Sequence, residues 1–367
     1  MKNFWHFYLQ TFQNIVKNSS VFTTMVLAIL LYGFFYPTAY QAQHAEAIPI
    51  VIVDEEQSQL TQMMIQAASQ SPNIHIKKIT PQFNEAQNML QNQQAEGMLY
   101  LPQNLSQSLR HGETGGIGLY LSAAYFLRLK EAGTGLAEAL ESVAAEYAAK
   151  YSQISHFEIT PSIHKVTLFN PLSGYGSYIF PAVAPLIIHQ TLLLGFTMLI
   201  SSYREKKWRP SKTEFFAHFA SAITIGCLGC FYLFGFIFWL YDYPRGGNFW
   251  GMLLTVPIYV SAVAAMSMLL ASFLDMQERT GHLLVVSSIP LFLLSGIAWP
   301  HEAMPFIVQK LAWILPSTQG IQMFVQLNQM GVPTTIIVPK LAYLLGCMLI
   351  FLSFAYWRLV KVNSKQV

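Results

Sequence analysis

Long apolar runs separated by short polar loops, broken once by a polar stretch of different grain, make up this chain. Val21 to Tyr40 carries no charged side chain, and no Asp, Glu, Lys or Arg occurs between Lys165 and Arg204. A helix of ~20 predominantly apolar residues spans a bilayer core. Both runs therefore predict transmembrane helices, the second over Tyr178 to Ile200. Further spans are expected over Phe215 to Tyr241, within Phe249 to Phe273, at about His282 to Trp299 and at about Ile336 to Trp357. Met304 to Leu315 breaks the series, because it is short, interrupted by Lys310 and bounded by Pro305 and Pro316. An apolar stretch of that length predicts a re-entrant or interfacial segment near 303–317.

The start of the chain has another period. Phe4, Trp5, Tyr8, Leu9, Phe12, Ile15 and Val16 recur at helical spacing, with His6, Gln10, Gln13, Asn14 and Lys17 mostly on the other side. That pattern suits a helix lying in the membrane interface over 1–19, ahead of a first span at 20–41. Ala45-Glu46-Ala47 resembles a cleavage site, but the apolar run before it is longer than a secretory h-region and starts late. An uncleaved anchor is the expectation.

Between the first two long runs, 42–170 reads as an α/β domain. Ile48 to Val53 is a continuous apolar run of the kind a buried strand needs. Leu60, Met63, Met64, Ala67 and Ala68 then mark one face of a helix. Apolar patches at Ile74 to Ile79, Gly97 to Leu101 and Ile117 to Leu121 alternate with helix-like stretches such as Phe83 to Gln93. A longer helix follows, with Leu136, Leu140, Val143, Ala144 and Tyr147 inward and Glu138, Glu141 and Glu146 outward. The expected fold is thus an α-helical membrane protein of six transmembrane helices, with this domain between the first and second and a five-helix domain over 171–367.

Composition sharpens the picture. Only 11% of residues are charged, against ~25% in average soluble domains, and the mean hydropathy is +0.38. The net charge of +3 is too small to argue for nucleic acid as a partner. The placement of charge says more. Of the 21 Lys and Arg, eleven fall on 1–20, 201–214, 274–281 and 358–367, and seven on 41–169. Short loops rich in Lys and Arg are retained in the cytoplasm, so those four segments and both termini are expected inside and the α/β domain outside.

Catalytic chemistry is sparse. Cys227 and Cys230 form a C-x-x-C without a second pair, so no zinc site or other metal site is expected, and the two thiols read as packing residues. The chain has no G-x-x-x-x-G-K-[ST], no G-x-S-x-G elbow and no H-E-x-x-H. Asp54, Glu55 and Glu56 look like paired carboxylates but read as a solvated turn at a strand end. His189 and Gln190 lie near the middle of the second long run, where polar side chains are costly and face the protein interior or a water-filled cavity. They either line a pathway or dimer interface, together with Pro181, Ser295 and Gly296, or fasten helices by hydrogen bonds.

The layout resembles the permease subunits of ABC-type exporters of the type-2 membrane family, over essentially the whole chain. The resemblance is carried by Ile52-Val53-Asp54-Glu55-Glu56-Gln57-Ser58, by Phe169-Asn170-Pro171, and by Tyr178, Phe180 and Pro181. Leu294-Ser295-Gly296-Ile297, Pro300 and Met304-Pro305 complete it. It implies a multi-pass protein of the bacterial inner membrane that exports hydrophobic or amphipathic compounds, drug-like molecules or lipids. It also implies a separate ATPase subunit that binds the ATP, this chain binding no cofactor, and a second permease copy or paralogue. Membrane lipids and a periplasmic adaptor are further expected partners. The loop Arg204, Glu205, Lys206, Lys207, Trp208, Arg209 is then the ATPase-coupling loop, although family members often carry an Arg-Glu-Arg-Glu-Gly-Thr-like sequence there. The alternative is a membrane-anchored receptor with an extracytoplasmic ligand-binding domain.

Overall fold

The computed structural model describes residues 2–39, 48–71, 74–92, 94–111, 116–121, 126–151, 175–243, 245 and 247–362. Ala45-Glu46-Ala47 and Phe169-Asn170-Pro171 lie outside them. The chain divides into two compact units, 42–166 and 1–41 with 167–367.

The first unit holds a four-stranded sheet in the order β2-β1-β3-β4. Its strands are β1 (Ile48–Asp54), β2 (Ile74–Thr80), β3 (Gly97–Leu101) and β4 (Gly118–Leu121). β1 pairs in parallel with β2 and β3, and β4 runs antiparallel to β3. The run IPIVIV is apolar on both faces because both faces are covered. Ile48, Ile50 and Ile52 pack with Leu60, Met64 and Ala68 of α4 (Gln59–Ser69) and with Leu136, Leu140 and Tyr147 of α7 (Phe126–Tyr151). Val51 and Val53 pack with Ala86 of α5 (Phe83–Gln91) on the opposite face. Ser58 starts α4 through a capping box, its hydroxyl accepting from Thr61 N while Thr61 Oγ1 accepts from Ser58 N at 2.9 Å. A short helix, α6 (Leu105–Arg110), follows β3.

The second unit opens with α1 (Lys2–Lys17), which has three faces rather than two. Thr11 and Ile15 are buried against the bundle, Trp5, Leu9 and Val16 form an exposed apolar stripe, and His6, Gln10, Gln13 and Lys17 form an exposed polar one. α2 (Ser19–Phe22) and α3 (Ala28–Ala39) are joined by a π-helical turn over Thr23–Leu27. Then come α8 (Tyr175–Glu205), α9 (Lys212–Cys230), a π segment Phe231–Ile237, α10 (Phe238–Leu240) and α11 (Phe249–Ala271). After them follow α12 (Gln277–Leu294), α13 (Phe306–Ile314), α14 (Pro316–Phe324) and α15 (Thr334–Tyr356).

α8 is the central helix. In its most apolar stretch 94% of residues are buried, as expected of a helix that is apolar all round, and it packs against α11, α12 and α14. Small residues let the helices approach. A Cβ on Gly195 would run into Met25, one on Gly226 into Val260, and one on Gly229 would stand 2.8 Å from Ile188 Cδ1.

Among the described residues, five helices are long and apolar enough to cross a membrane, Ser19–Ala39, Gly176–Glu205, Lys212–Leu240, Phe249–Ala271 and Thr334–Lys361. The chain is therefore a mostly helical, multi-pass membrane protein. The span expected over His282 to Trp299 is not among the five. Its helix begins earlier, in the polar turn Gln277-Glu278-Arg279, and stops at Leu294, so the apolar part is shorter than the sequence run suggested. The run expected near 303–317 is two short helices meeting at Leu315-Pro316.

Candidate functional site

The loop after α8 is shaped by its own side chains. Lys207 adopts a left-handed φ of 58°, which lets Trp208 N return to Tyr203 O at 3.1 Å and closes the helix end. The Trp208 ring packs against Tyr203 and His218, with centroids 5.4 and 5.3 Å away, and its Nε1 donates to Glu214 Oε1 at 2.7 Å. Ser211 caps α9 through a capping box with Glu214. Arg204 turns inward, its Nη1 donating to Ala271 O at 2.7 Å and Leu274 O at 2.6 Å. The last carbonyls of a helix have no intrahelical partner, so a guanidinium there is held by both hydrogen bonding and the helix dipole. Of the six residues expected to couple to an ATPase, Arg204 and Trp208 hold the loop together. Glu205, Lys206, Lys207 and Arg209 are exposed.

Several elements converge on this end of the bundle. Asn14 Nδ2 of α1 donates to Tyr203 Oη at 2.8 Å, and the Ser221 hydroxyl lies between Ala217 O at 2.9 Å and Tyr8 O at 3.1 Å. Thr11 Oγ1 donates to Phe7 O at 2.8 Å and lies 2.7 Å from His218 Nδ1. A hydroxyl has one proton, so with that proton on Phe7 O the second bond is donated by His218 from Nδ1. Asn18 and Gln277 exchange amide hydrogen bonds at 3.0 and 3.3 Å, tying the junction of α1 and α2 to the start of α12. Arg358, just past α15, donates from Nε to Ser272 Oγ at 3.1 Å and stacks 4.0 Å from the Phe273 ring. The C-terminal end of α11 is thus gripped by two arginines from different parts of the chain.

The expected pathway residues do not come together as one group. Ser295 and Gly296 line a cavity of about 260 Å³ with Tyr178 and Ala182 of α8 and with His301. Pro181 is buried next to Ala182. His189 and Gln190 do not line that cavity. Gln190 Nε2 donates to Ser288 O of α12 at 3.4 Å. His189 is fully buried, and neither ring nitrogen has a hydrogen-bond partner among the described residues. Tyr259, which sequence reasoning missed, joins α11 to α8 by donating to Pro185 O at 2.6 Å. Nothing local in the sequence marked this tyrosine or the carbonyl opposite it.

In the α/β unit, the carboxylates after β1 form a turn but are not freely solvated. Asp54 is 5% exposed and accepts from Gln57 N and Thr61 Oγ1 at 2.9 and 3.0 Å. Glu56 accepts from Ser106 N and Ser106 Oγ at 2.9 and 2.8 Å and from Ser58 Oγ at 2.9 Å. In open α/β sheets ligands bind beyond the carboxyl ends of strands where the strand order reverses, which here is between β1 and β3. There the half-buried Glu56, just past β1, is tied to Ser106 of α6, the helix that follows β3. Beside it, Tyr100 donates to Glu55 Oε2 at 2.8 Å, and that hydrogen bond, with burial and the carboxylate charge, raises the phenol above its ordinary pKa. No group of three or more His, Cys, Asp or Glu placed to hold a metal ion occurs among the described residues.

No solved structure matches the chain. Among curated proteins it is similar to the probable multidrug ABC transporter permease YbhR of Escherichia coli strain K12 and of Escherichia coli O157:H7. Each is 21% identical over 324 residues, covering 85% of this chain and 86% of the relative. A family model described as ABC-2 family transporter protein matches residues 19–357, nearly the whole length over which the described helices and sheet are laid out, and the chain belongs to that family.

Proposed function

We propose that this chain is the transmembrane permease subunit of an ATP-driven exporter, driven by a separate ATPase and working with a second permease copy or a paralogue. The observation that carries the reading, beyond the family, is the hydrogen-bonded network around Arg204. A load on the exposed residues Glu205, Lys206, Lys207 and Arg209 reaches the ends of α8 and α11 through bonds of 2.6 to 2.7 Å rather than through a floppy loop. The absence of a P-loop leaves nucleotide hydrolysis to a partner. In this reading the chain is a transport subunit and not an enzyme. It lies in a bacterial inner membrane with both termini cytoplasmic, α12 completes six spans, and α13 with α14 forms a re-entrant pair on the outer side. Hydrophobic or amphipathic compounds are the proposed cargo, in keeping with the multidrug wording of the Escherichia coli relative. A periplasmic adaptor would dock outside. The engagement of Glu56 by Ser58 and Ser106 weighs against a receptor that takes its ligand at this end of the sheet.

The test is purification of the tagged chain from detergent, followed by an ATPase assay on what accompanies it. Replacing Lys206, Lys207 and Arg209 by glutamine is expected to lose the ATPase while the permease remains folded. A clean preparation that neither carries nor stimulates an ATPase would refute the proposal.

A further inference from the structure

The imidazole of His218, near the start of α9, stands between α1 and the loop after α8, with its side chain 3% exposed. Nδ1 lies 2.7 Å from Thr11 Oγ1, whose own proton is on Phe7 O at 2.8 Å, so Nδ1 carries a hydrogen. Nε2 has no hydrogen-bond partner among the described residues, and Glu214 Oε1 stands 3.7 Å from it. That oxygen accepts from Trp208 Nε1 at 2.7 Å, and Oε2 accepts from Ser211 N at 3.4 Å. The loop therefore fixes the carboxylate where the ring meets it.

Three proton arrangements compete. A neutral ring with its hydrogen on Nδ1 turns the Nε2 lone pair, shut from water, towards a carboxylate oxygen, so that two acceptors face each other with no hydrogen between them. A neutral ring with its hydrogen on Nε2 suits Glu214 but draws the Thr11 proton to Nδ1. Thr11 Oγ1 and Phe7 O would then stand 2.8 Å apart, again with no hydrogen between them. A ring with both hydrogens leaves neither conflict and sets its positive charge beside the Glu214 carboxylate. The other groups facing it are Thr11 of α1, Tyr203 of α8 and Trp208 of the loop, the last two with ring centroids 5.3 Å away. None of the three carries a positive charge.

We propose that His218 is a proton-binding site, holding two protons and pairing as a cation with Glu214 to close a clasp from Trp208 through Glu214 and His218 to Thr11 of α1. Loss of one proton as pH rises opens the clasp between Glu214 and His218 and leaves the Trp208 bond in place. The clasp does not depend on the chain being an exporter. Its consequence for transport rests on the proposed function, in which the loop takes the load of an ATPase: coupling weakens as the cytoplasm turns alkaline.

Nitrogen-15 NMR of histidine-labelled protein in lipid nanodiscs tests it, His218 being assigned by the signals lost in His218→Gln. At pH 7 wild type is expected to show both ring nitrogens protonated. Glu214→Gln keeps an acceptor oxygen for Trp208 but not the charge. It is expected to lower the ratio of doubly to singly protonated ring about tenfold, the scale of one opposite charge at this distance. Should His218→Gln not fold, the signal that responds to Glu214→Gln identifies the ring. Wild type is also expected to lose thermal stability relative to Glu214→Gln between pH 6.5 and 8.5, because a proton held more tightly in the folded state contributes stability that is lost as pH rises. A neutral ring at pH 7, with its hydrogen on either nitrogen, or an equal ratio in wild type and Glu214→Gln, overturns the proton site. Stimulated ATP hydrolysis that falls with pH in wild type and not in Glu214→Gln supports the consequence for coupling, and identical pH profiles overturn it. A chain that neither carries nor stimulates an ATPase overturns the exporter reading and leaves the clasp standing.

Discussion

Arg204→Met is the sharpest perturbation of the proposed coupling end. The guanidinium makes two charge-assisted bonds, to Ala271 O at 2.7 Å and Leu274 O at 2.6 Å. Such bonds are worth ~1.5–3 kcal/mol each when shielded, and placement at a helix C-terminus adds ~0.3–1 kcal/mol. Arg204 is half-buried, so solvent screening takes the sum down to roughly 2–3 kcal/mol. At ~2–4 °C per kcal/mol for a unit of this size, detergent-purified protein should melt roughly 4–12 °C lower. Arg204→Lys keeps the charge but not the planar fork, and should recover about half of the loss. Because Arg358 holds the adjacent Ser272, the pair Arg204→Met and Arg358→Met should couple by about 0.5 kcal/mol or more in a double-mutant cycle. The assay is thermal unfolding read beside permease-stimulated ATP hydrolysis. An Arg204→Met protein with unchanged melting and unchanged stimulation would refute the idea that this arginine transmits anything.

Trp208→Phe removes the Nε1 bond to Glu214 but keeps the stacking on Tyr203 and His218, and should cost about 1 kcal/mol in thermal unfolding with weakened ATPase stimulation. Gly296→Ala must hold a φ of 84° and places its Cβ 2.5 Å from His301 Nε2. The left-handed backbone alone costs ~1–2 kcal/mol, and combination with His301→Ala should relieve the steric part and leave the backbone part, both read by melting. The Glu85 carboxyl is held below its usual pKa of 4.5 by hydrogen bonds from Lys78 and Thr80. A depressed folded-state pKa supplies stability above the unfolded value and loses it as pH falls through the folded one. Lys78→Ala should therefore bring acid-induced opening of β2 and α5 to higher pH, measured by hydrogen exchange of 74–92 between pH 3 and 6. Exchange that begins at the same pH in both proteins would contradict this.

Much of the helical membrane fold was legible because lipid forces backbone groups to pair within a helix, which leaves long charge-free runs as an unmistakable trace. The runs Val21 to Tyr40 and Tyr178 to Ile200 carry that trace, and 21–39 and 178–200 are helical in the structure. The run at His282 to Trp299 is helical only as far as Leu294, because hydropathy does not register where a helix stops. Gly296 in a left-handed conformation, with Ser295 Oγ bonding to Phe292 O and accepting from Ile297 N, ends it early. The site was harder still, since its parts are far apart in sequence. Arg204 and Arg358 were both visible as basic residues at span ends, and retention in the cytoplasm was a sufficient account of each. Only their meeting at Ala271, Ser272 and Leu274 separates a structural arginine from a topological one. The same holds for α1. Its sequence shows an apolar side and a polar side, whereas Tyr8, Thr11 and Asn14 hydrogen-bond to α9 and Tyr203 from a third. A helix only adsorbed on a membrane needs two faces, so the third argues that α1 is a fixed part of the bundle. We propose that its exposed stripe of Trp5, Leu9 and Val16 sets the depth at which that bundle end sits in the lipid. Trp5→Asp with Leu9→Asp should accordingly alter lipid contact without breaking the bonds of Thr11 or Asn14, while Thr11→Val with Asn14→Leu should free α1 and leave its stripe intact. Hydrogen exchange of 2–17 in lipid nanodiscs distinguishes the two, and protection that survives the second pair of substitutions would mean that lipid, not the bundle, holds the helix.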